Sequence, residues 1–227
     1  MSKANSINHK ESWLAFEADG WFERNKLIIE NYCASEDKVL SLIHDYKLDP
    51  SRVLEIGCSA GYRLNEINKK YSNCKTFGIE PSLKAIEYGQ QTYPQVEFLH
   101  GTADNLDYFE SNSLDIVIVG FVFYVVDRNL LFKVVAEIDR VLKNGGFLII
   151  IDFFSETTLK NEYQHIKDFK AYSFKQNYDE IFSASKLYYL FDKSTFNHTN
   201  KKLDATIDYY NKFSISLLKK DIDACYK

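Results

Sequence analysis

Between Val53 and Leu64 the chain reads VLEIGCSAGYRL, and its centre, Gly57-Cys58-Ser59-Ala60-Gly61, fits two chemistries. G-x-S-x-G is the strand–turn–helix elbow that lifts a serine hydroxyl above a sheet as a nucleophile. With one glycine replaced, the same stretch is a turn whose bare backbone approaches a nucleoside cofactor at a helix N-terminus. The nucleophile needs an acid and then a histidine downstream, together with an earlier loop of oxyanion donors. Asp152 followed by His165 or His198 satisfies that order, but residues 1–50 hold only one glycine, Gly20, and no such loop. The cofactor chemistry accounts for more residues. Glu55 stands where an acid at a strand end attracts a cationic amine. Glu80, 25 residues later, ends the next apolar run, where a carboxylate grips two ribose hydroxyls.

Positioning such groups requires strands that end together. Five short runs rich in Val, Ile and Phe, namely RVLEIG, CKTFGIE, QVEFLH, LDIVIVG and GFLIIIDFF, read as buried parallel strands. Helical patterns lie between them. One follows Asp127 as N-cap, carries Leu130, Leu131, Val134, Val135, Ile138, Val141 and Leu142 on one face, and stops at Gly145 and Gly146. Another starts at Ser82 after Pro81 and turns Leu83 and Ile86 inward. This alternation predicts an α/β fold with an open, doubly wound, mostly parallel sheet. Residues 1–50 read as a helical cap, with Ser35 capping a run through Val39, Leu40, Leu42 and Ile43 behind the aromatic cluster Trp13, Phe16, Trp21 and Phe22. After Gly146 come 81 residues without Gly or Pro, in which KLYYLFDKSTF and FSISLLKK read as two strands. The expected organisation is a cap over 1–50, a cofactor-binding core over 51–155, and a lid insertion plus closing strands over 156–227, all in one domain.

At 227 residues, 45% of them hydrophobic, the chain can bury one sizeable core. A net charge of -4 argues against a nucleic-acid partner, because neutralising phosphates takes clustered Lys and Arg. Cys33, Cys58, Cys74 and Cys225 form no C-x-x-C pair and no ligand spacing with histidine, so they read as reduced thiols and no metal site is expected. No apolar run reaches the roughly 20 residues of a membrane helix, and the N-terminus lacks an apolar signal region; a cytoplasmic protein is expected.

Residues 50–155 resemble the class I S-adenosylmethionine-dependent methyltransferases. VLEIGCSAG is similar to that family's first motif, and GIEPSLKAIEYG to its ribose-binding acidic loop. HGTADNL resembles the loop bordering the adenine, SLDIVIVGFVFYVVD the fourth strand and the loop closing the site, and LFKVVAEIDRVLKNGGFLIIIDF the next helix and strand. The resemblance implies a Rossmann-like, seven-stranded sheet with an antiparallel last strand and S-adenosylmethionine as cofactor. It assigns cofactor contacts to Glu55, Gly57, Ser59, Gly61, Glu80, Pro81, Thr102, Ala103, Gly120 and Phe121. Ser59 replaces the middle glycine and becomes a small turn residue. Thr102 replaces the usual Asp, which leaves the adenine amino group to Asp104 or to backbone.

Methyl transfer from a sulfonium is an in-line displacement, and orientation can supply about 7–11 kcal/mol of its barrier. A base is needed only where the acceptor keeps its proton at neutral pH, and histidine suits that task. The segment NEYQHIKDFKAYSFKQNYDEIF resembles a subgroup of bacterial methyltransferases, often linked to surface-polysaccharide or nucleotide-linked metabolism, with a Tyr-x-His and a Tyr-rich, Lys-containing stretch after the fifth strand. That resemblance implies catalytic roles for His165, Tyr163 and Lys175, and places Tyr172 and Tyr178 in the acceptor wall with Tyr124. Trp21 and Phe22 are candidates to cover the cofactor, Arg24 or Asn25 to meet its carboxylate, and Asp152 to orient substrate or cap a turn. The N-P-P-[YF] segment of enzymes that methylate amino groups of DNA or glutamine is absent; Gly120-Phe121-Val122-Phe123 stands there. A small-molecule acceptor follows, with O-methylation preferred over N-methylation and a sugar- or phosphate-containing metabolite as the candidate class. The rival readings are a serine hydrolase using Ser59 and a partner subunit that binds the cofactor without turnover.

Overall fold

The structure is a computed structural model that describes residues 9–167 and 170–226. The side chain of Cys225 lies outside the described part. Three helices lead the chain: α1 (His9–Phe16), α2 (Ala18–Glu30) and α3 (Lys38–Asp45). Strands and helices then alternate as β1 (Arg52–Ile56), α4 (Tyr62–Lys70), β2 (Lys75–Glu80), α5 (Leu83–Thr92), β3 (Glu97–His100), β4 (Leu114–Gly120), α6 (Leu131–Val141) and β5 (Leu142–Phe153). A hairpin, β6 (Leu159–Glu162) with β7 (Tyr172–Lys175), and a short α7 (Asp179–Ser183) precede β8 (Tyr188–Asn197) and β9 (Lys212–Lys220).

Seven strands form one sheet in the order β3-β2-β1-β4-β5-β9-β8. The first five run parallel, and β9 runs antiparallel to both β5 and β8. Because both faces are covered, successive residues of one strand enter different cores. Val117, Val119, Leu148 and Ile150 pack under α6 and α7 with Val134, Ile138 and Phe182. Ile116, Ile118, Ile149 and Ile151 face α3 and α4 with Ile43, Leu64 and Ile67. Burying each such side chain contributes roughly 1.5–3 kcal/mol, which explains why these strands read as unbroken apolar runs.

Local details differ from the sequence expectations in four places. Asp37, not Ser35, caps α3, accepting from Val39 N at 2.8 Å and Leu40 N at 3.0 Å. Asp127 caps a turn, accepting from Asn129 N at 2.9 Å, and α6 begins four residues later at Leu131. That helix ends at Val141, so Gly145 (φ +83°) and Gly146 do not stop it. They lie inside β5, where the register with β4 shifts after Leu142↔Leu114, and a Cβ on Gly146 would stand 3.0 Å from the Asp115 carbonyl. Leu83 is exposed, whereas Ser82 caps α5 as expected and Ile86 is buried. Among the described residues no helix is long and apolar enough to cross a membrane.

Candidate active site

A cavity of about 200 Å³ opens where β1, β2 and β4 end, bordered also by the loop after β3. The strand order reverses between β1 and β4, so the helices that follow them leave toward opposite faces and a crevice remains between. Glu55, Gly57, Ser59, Glu80, Pro81, Thr102, Ala103, Gly120 and Phe121 all border it. Gly61 does not; it starts α4 just outside.

The turn after β1 is tight. Gly57 takes φ +74°, and a Cβ there would fall 2.4 Å from Val122 Cγ2 and 3.1 Å from the Gly120 carbonyl. Ser59 holds φ +49°, the left-handed conformation that normally selects glycine. Its amide donates to Glu80 Oε2 at 2.9 Å, and Ser82 N donates to Glu80 Oε1 at 2.9 Å. Each carboxylate oxygen therefore keeps a lone pair, and burial pushes the Glu80 carboxyl up to about 7 against the pull of these two N–H groups.

Ser59 Oγ is buried without a hydrogen-bond partner, and no histidine borders the cavity among the described residues. A nucleophilic serine would need that base. Ser59→Ala is accordingly expected to weaken S-adenosylhomocysteine binding less than about tenfold, since one neutral hydrogen bond contributes roughly 0.5–1.5 kcal/mol. Calorimetry checks this, and an ester-hydrolysis activity abolished by the substitution would reinstate the nucleophile.

Glu55 ends β1 inside a buried network. Arg63 on α4 donates through Nη1 to Glu55 Oε1 and through Nε to Asp37 Oδ2 at 2.8 Å, and Tyr32 donates to the same Asp37 oxygen at 2.9 Å. Burial raises the Glu55 carboxyl to about 7 despite the opposing pull of Arg63. Burial also works against the Arg63 cation, but Asp37 and Glu55 outweigh it and raise its pKa well above the ordinary arginine value. Glu55 Oε2 remains buried and unpartnered while the residue borders the cavity. An acceptor without a donor at this place suits a cationic amine, and Glu80 with two spare lone pairs suits a diol. Both fit the methionyl amine and the ribose of S-adenosylmethionine.

The N-terminal helices roof the cavity. Lys10, Trp13, Leu14, Ala18 and Trp21 border it, on one helical face at offsets of 3, 4, 8 and 11 from Lys10. Lys10 Nζ holds Asp104 at 2.7 and 2.9 Å, and Thr102 donates to Asp104 Oδ1 at 2.8 Å. Burial opposes ionisation of Asp104, but these bonds prevail and lower its pKa. Asp19 clasps the start of α5 through Ser82 Oγ at 2.6 Å, with the Lys84–Glu23 pair beside it at 2.8 Å. Trp21 thus covers the cavity as its sequence position suggests, whereas Phe22 is buried against Ala60 and Ala85. Arg24 pairs with Glu17, and Asn25 donates to Trp21 O at 2.8 Å; neither borders the cavity.

The other expected acceptor residues disperse. Tyr124 borders the cavity and is buried, and burial raises its phenol. Tyr163 donates to Glu17 Oε1 at 2.5 Å, packs on Trp13 at 5.0 Å, and faces the Tyr124 hydroxyl. His165 is exposed, with its ring 5.3 Å from Tyr163 and outside the cavity lining. Lys175 points to the carbonyls of Tyr209 and Tyr210. Tyr172 lies under Lys160 Nζ at 3.7 Å, and Tyr178 is a core residue stacked on Phe123 at 5.1 Å; neither borders the cavity. Asp152 accepts Phe153 N at 2.7 Å through Oδ1 and turns toward the amides of Val122, Phe123 and Tyr124, with Oδ2 buried and without a hydrogen-bond partner, while burial raises its carboxyl to about 7.

Sequence reasoning missed Lys10, Trp13, Leu14 and Ala18 as lining residues and Glu17 as the partner of Tyr163. Their helical spacing, 10-13-14-18-21, was the available signal, although a break at Glu17 divides it between two helices.

Residues 53–146 match the family model described as a methyltransferase domain. The chain is 32% identical over 124 residues to the ubiquinone/menaquinone biosynthesis C-methyltransferase of Campylobacter jejuni, covering 51% of this chain and 49% of that protein. It is 29% identical over 122 residues to the demethylmenaquinone methyltransferase of Thermotoga maritima, covering 53% and 51% respectively. The chain thus spans about half the length of these curated relatives. Among solved structures, 1,6-didemethyltoxoflavin-N1-methyltransferase of Burkholderia thailandensis, with bound 1,6-didemethyltoxoflavin and S-adenosylhomocysteine, superposes with a TM-score of 0.71 at 11% identity, covering 97% of this chain and 93% of that one. That likeness shows the fold. Residues 53–146 therefore carry a methyltransferase domain, on a chain with the fold of the S-adenosylmethionine-dependent methyltransferases.

Proposed function

We propose that the protein transfers a methyl group from S-adenosylmethionine to a small-molecule acceptor lying against Trp13 and Tyr124, with oxygen as the accepting atom. The observation that carries this reading is a single cavity bordered by two buried carboxylates, Glu55 with a free Oε2 and Glu80 with both oxygens anchored by backbone. When bound, the cofactor supplies an electrophilic methyl group on a sulfonium. Glu55 and Glu80 hold its amine and ribose, Asp104 and the backbone of Thr102 and Ala103 border the adenine end, and the roof of Trp13, Leu14 and Trp21 excludes water. Orientation in such a site is the main source of rate. A proton leaving an acceptor hydroxyl has a route from Tyr124 to Tyr163 and on to Glu17, which Arg24 keeps paired. His165 lies outside that route. The name of the Campylobacter relative, a C-methyltransferase, favours a second reading, transfer to carbon. The same residues serve it, because a phenolic ring gives up the same proton to become nucleophilic at carbon.

Calorimetric titration with S-adenosylmethionine and S-adenosylhomocysteine tests this reading, followed by mass-spectrometric detection of methylated product across phenols, alcohols and amines. No binding of either ligand sinks it. The affinity is also expected to depend on pH. Glu80 and Glu55 titrate near 7 in the empty protein, and both must be ionised to hold a diol and an amine. Affinity should rise with pH and level off above about 8, by roughly tenfold from pH 6 to 8 for each proton released. Stability of the empty protein should move the opposite way. Its raised carboxyls bind protons more tightly than in the unfolded chain, so their contribution is full below 4.5 and is lost as pH rises through 7.

A further inference from the structure

Beside Phe121, outside the cavity lining, three basic groups converge on an aromatic cluster. His198 lies 5.0 Å from the Phe153 ring and 6.2 Å from those of Phe121 and Phe213. Lys175 Nζ stands 5.4 Å from the Phe153 centroid, and Lys201 Nζ 5.4 Å from that of Phe213. The arrangement is built rather than incidental. Asn197 Oδ1 accepts from Thr199 N at 3.0 Å and Asn200 N at 3.2 Å, Lys201 takes φ +59°, and His198 N is tied to Asn211 O at 2.8 Å. Phe121 itself holds φ +51°, a conformation costly for an aromatic residue, at the boundary between this cluster and the cavity.

The cluster lacks its counter-charge. None of the three groups forms an ion pair among the described residues, and Asp208 is the one carboxylate that favours the Lys175 cation. Burial depresses the basicity of all three, and Lys201 and Lys175 push His198 down further, to about 4. Lys175 Nζ donates to the Tyr209 and Tyr210 carbonyls, but gathering cations without ion-pair partners on these rings is unfavourable, and in a chain of net charge -4 it is not a consequence of overall composition. An anion among them would remove the repulsion and let the imidazole take up a proton.

We infer that Lys175, His198 and Lys201 form a subsite for an anionic group, a carboxylate or a phosphate, carried by the methyl acceptor. The assignment of that anion to the acceptor rests on the methyl-transfer reading, because the two sites share Phe121 as a wall. Anion binding itself does not. The test is a histidine-resolved NMR titration of the full chain, with His198 assigned by a His198→Gln variant, using benzoate, phenyl phosphate and neutral benzyl alcohol as probes. The expected result is an upward move of the His198 midpoint by at least about one pH unit with an anionic probe and none with benzyl alcohol. Lys175→Gln and Lys201→Gln should each weaken anion binding about fivefold or more, roughly 1 kcal/mol. Response to benzoate alone identifies a carboxylate, and response to phenyl phosphate alone a phosphate. A midpoint indifferent to both, or an equal response in the lysine variants, overturns the subsite. Calorimetry with S-adenosylhomocysteine on the same samples separates the two readings: cofactor binding without an anion response defeats only the subsite, and the reverse defeats only methyl transfer.

Discussion

Arg63→Met is expected to destabilise the fold by about 3–5 kcal/mol, the usual effect of removing one member of a buried ionic group. Arg63 is 8% exposed and is the cation shared by Asp37, which caps α3, and Glu55, which ends β1. Its removal leaves two buried carboxylates facing each other without compensation. Each would then ionise at higher pH, so the loss should grow between pH 5 and 8. In a domain of this size roughly 2–4 °C of melting temperature accompanies each kcal/mol, which makes the fall about 6–20 °C at neutral pH. Adding Glu55→Gln to Arg63→Met should restore part of it, because the two residues are directly bonded and their effects are not additive. A variant melting within a degree or two of the parent would show that Arg63 is not the centre of this network. Cofactor affinity should fall as well, since a Glu55 held in its neutral form offers no charge to an amine.

Glu80→Gln is expected to weaken S-adenosylhomocysteine binding by roughly 100-fold, about 2.7 kcal/mol, while leaving the melting temperature of the empty protein nearly unchanged. The substitution keeps one carbonyl oxygen for Ser59 N or Ser82 N but turns an NH2 group toward the other. It also removes the charge that, in the proposed cofactor site, would accept two ribose hydroxyls. The small stability effect follows from two opposing changes: one backbone bond is lost, and a buried carboxyl that is reluctant to ionise is replaced by a neutral amide. Calorimetry beside a thermal melt separates the contributions. Unaltered affinity in a folded variant would remove Glu80 from the cofactor site and with it the main support for the proposed function.

The alternation of strands and helices and the glycine turn after β1 were legible from residue types. A strand buried on both faces has to be apolar at every position, as IVIVG and FLIII are, and this leaves short unbroken apolar runs between turns. The G-x-S-x-G stretch, with Glu55 before it and Glu80 at the next strand end, was readable for a related reason. A backbone that must take φ +74° and +49° within three residues, with no room for a Cβ at Gly57, admits few residue types. Local constraint of this kind leaves its mark on local sequence.

Tertiary structure alone decided which side chains meet across long separations. Lys10 reaches Asp104 and Tyr163 reaches Glu17, and neither pair has any signature in the intervening chain. The Tyr-rich segment after β5 shows the same limit. Tyr163, His165, Tyr172, Lys175 and Tyr178 are neighbours in sequence, yet they end up respectively bonded to Glu17, in solvent, beneath Lys160, against two backbone carbonyls, and in the core. Amphipathic side chains such as Tyr, Lys and His are stable in all of these settings, so their identity does not select among them. Only the packing of the hairpin β6–β7 against α1 and the turn after β4 does, because it determines which of their polar atoms still need a partner.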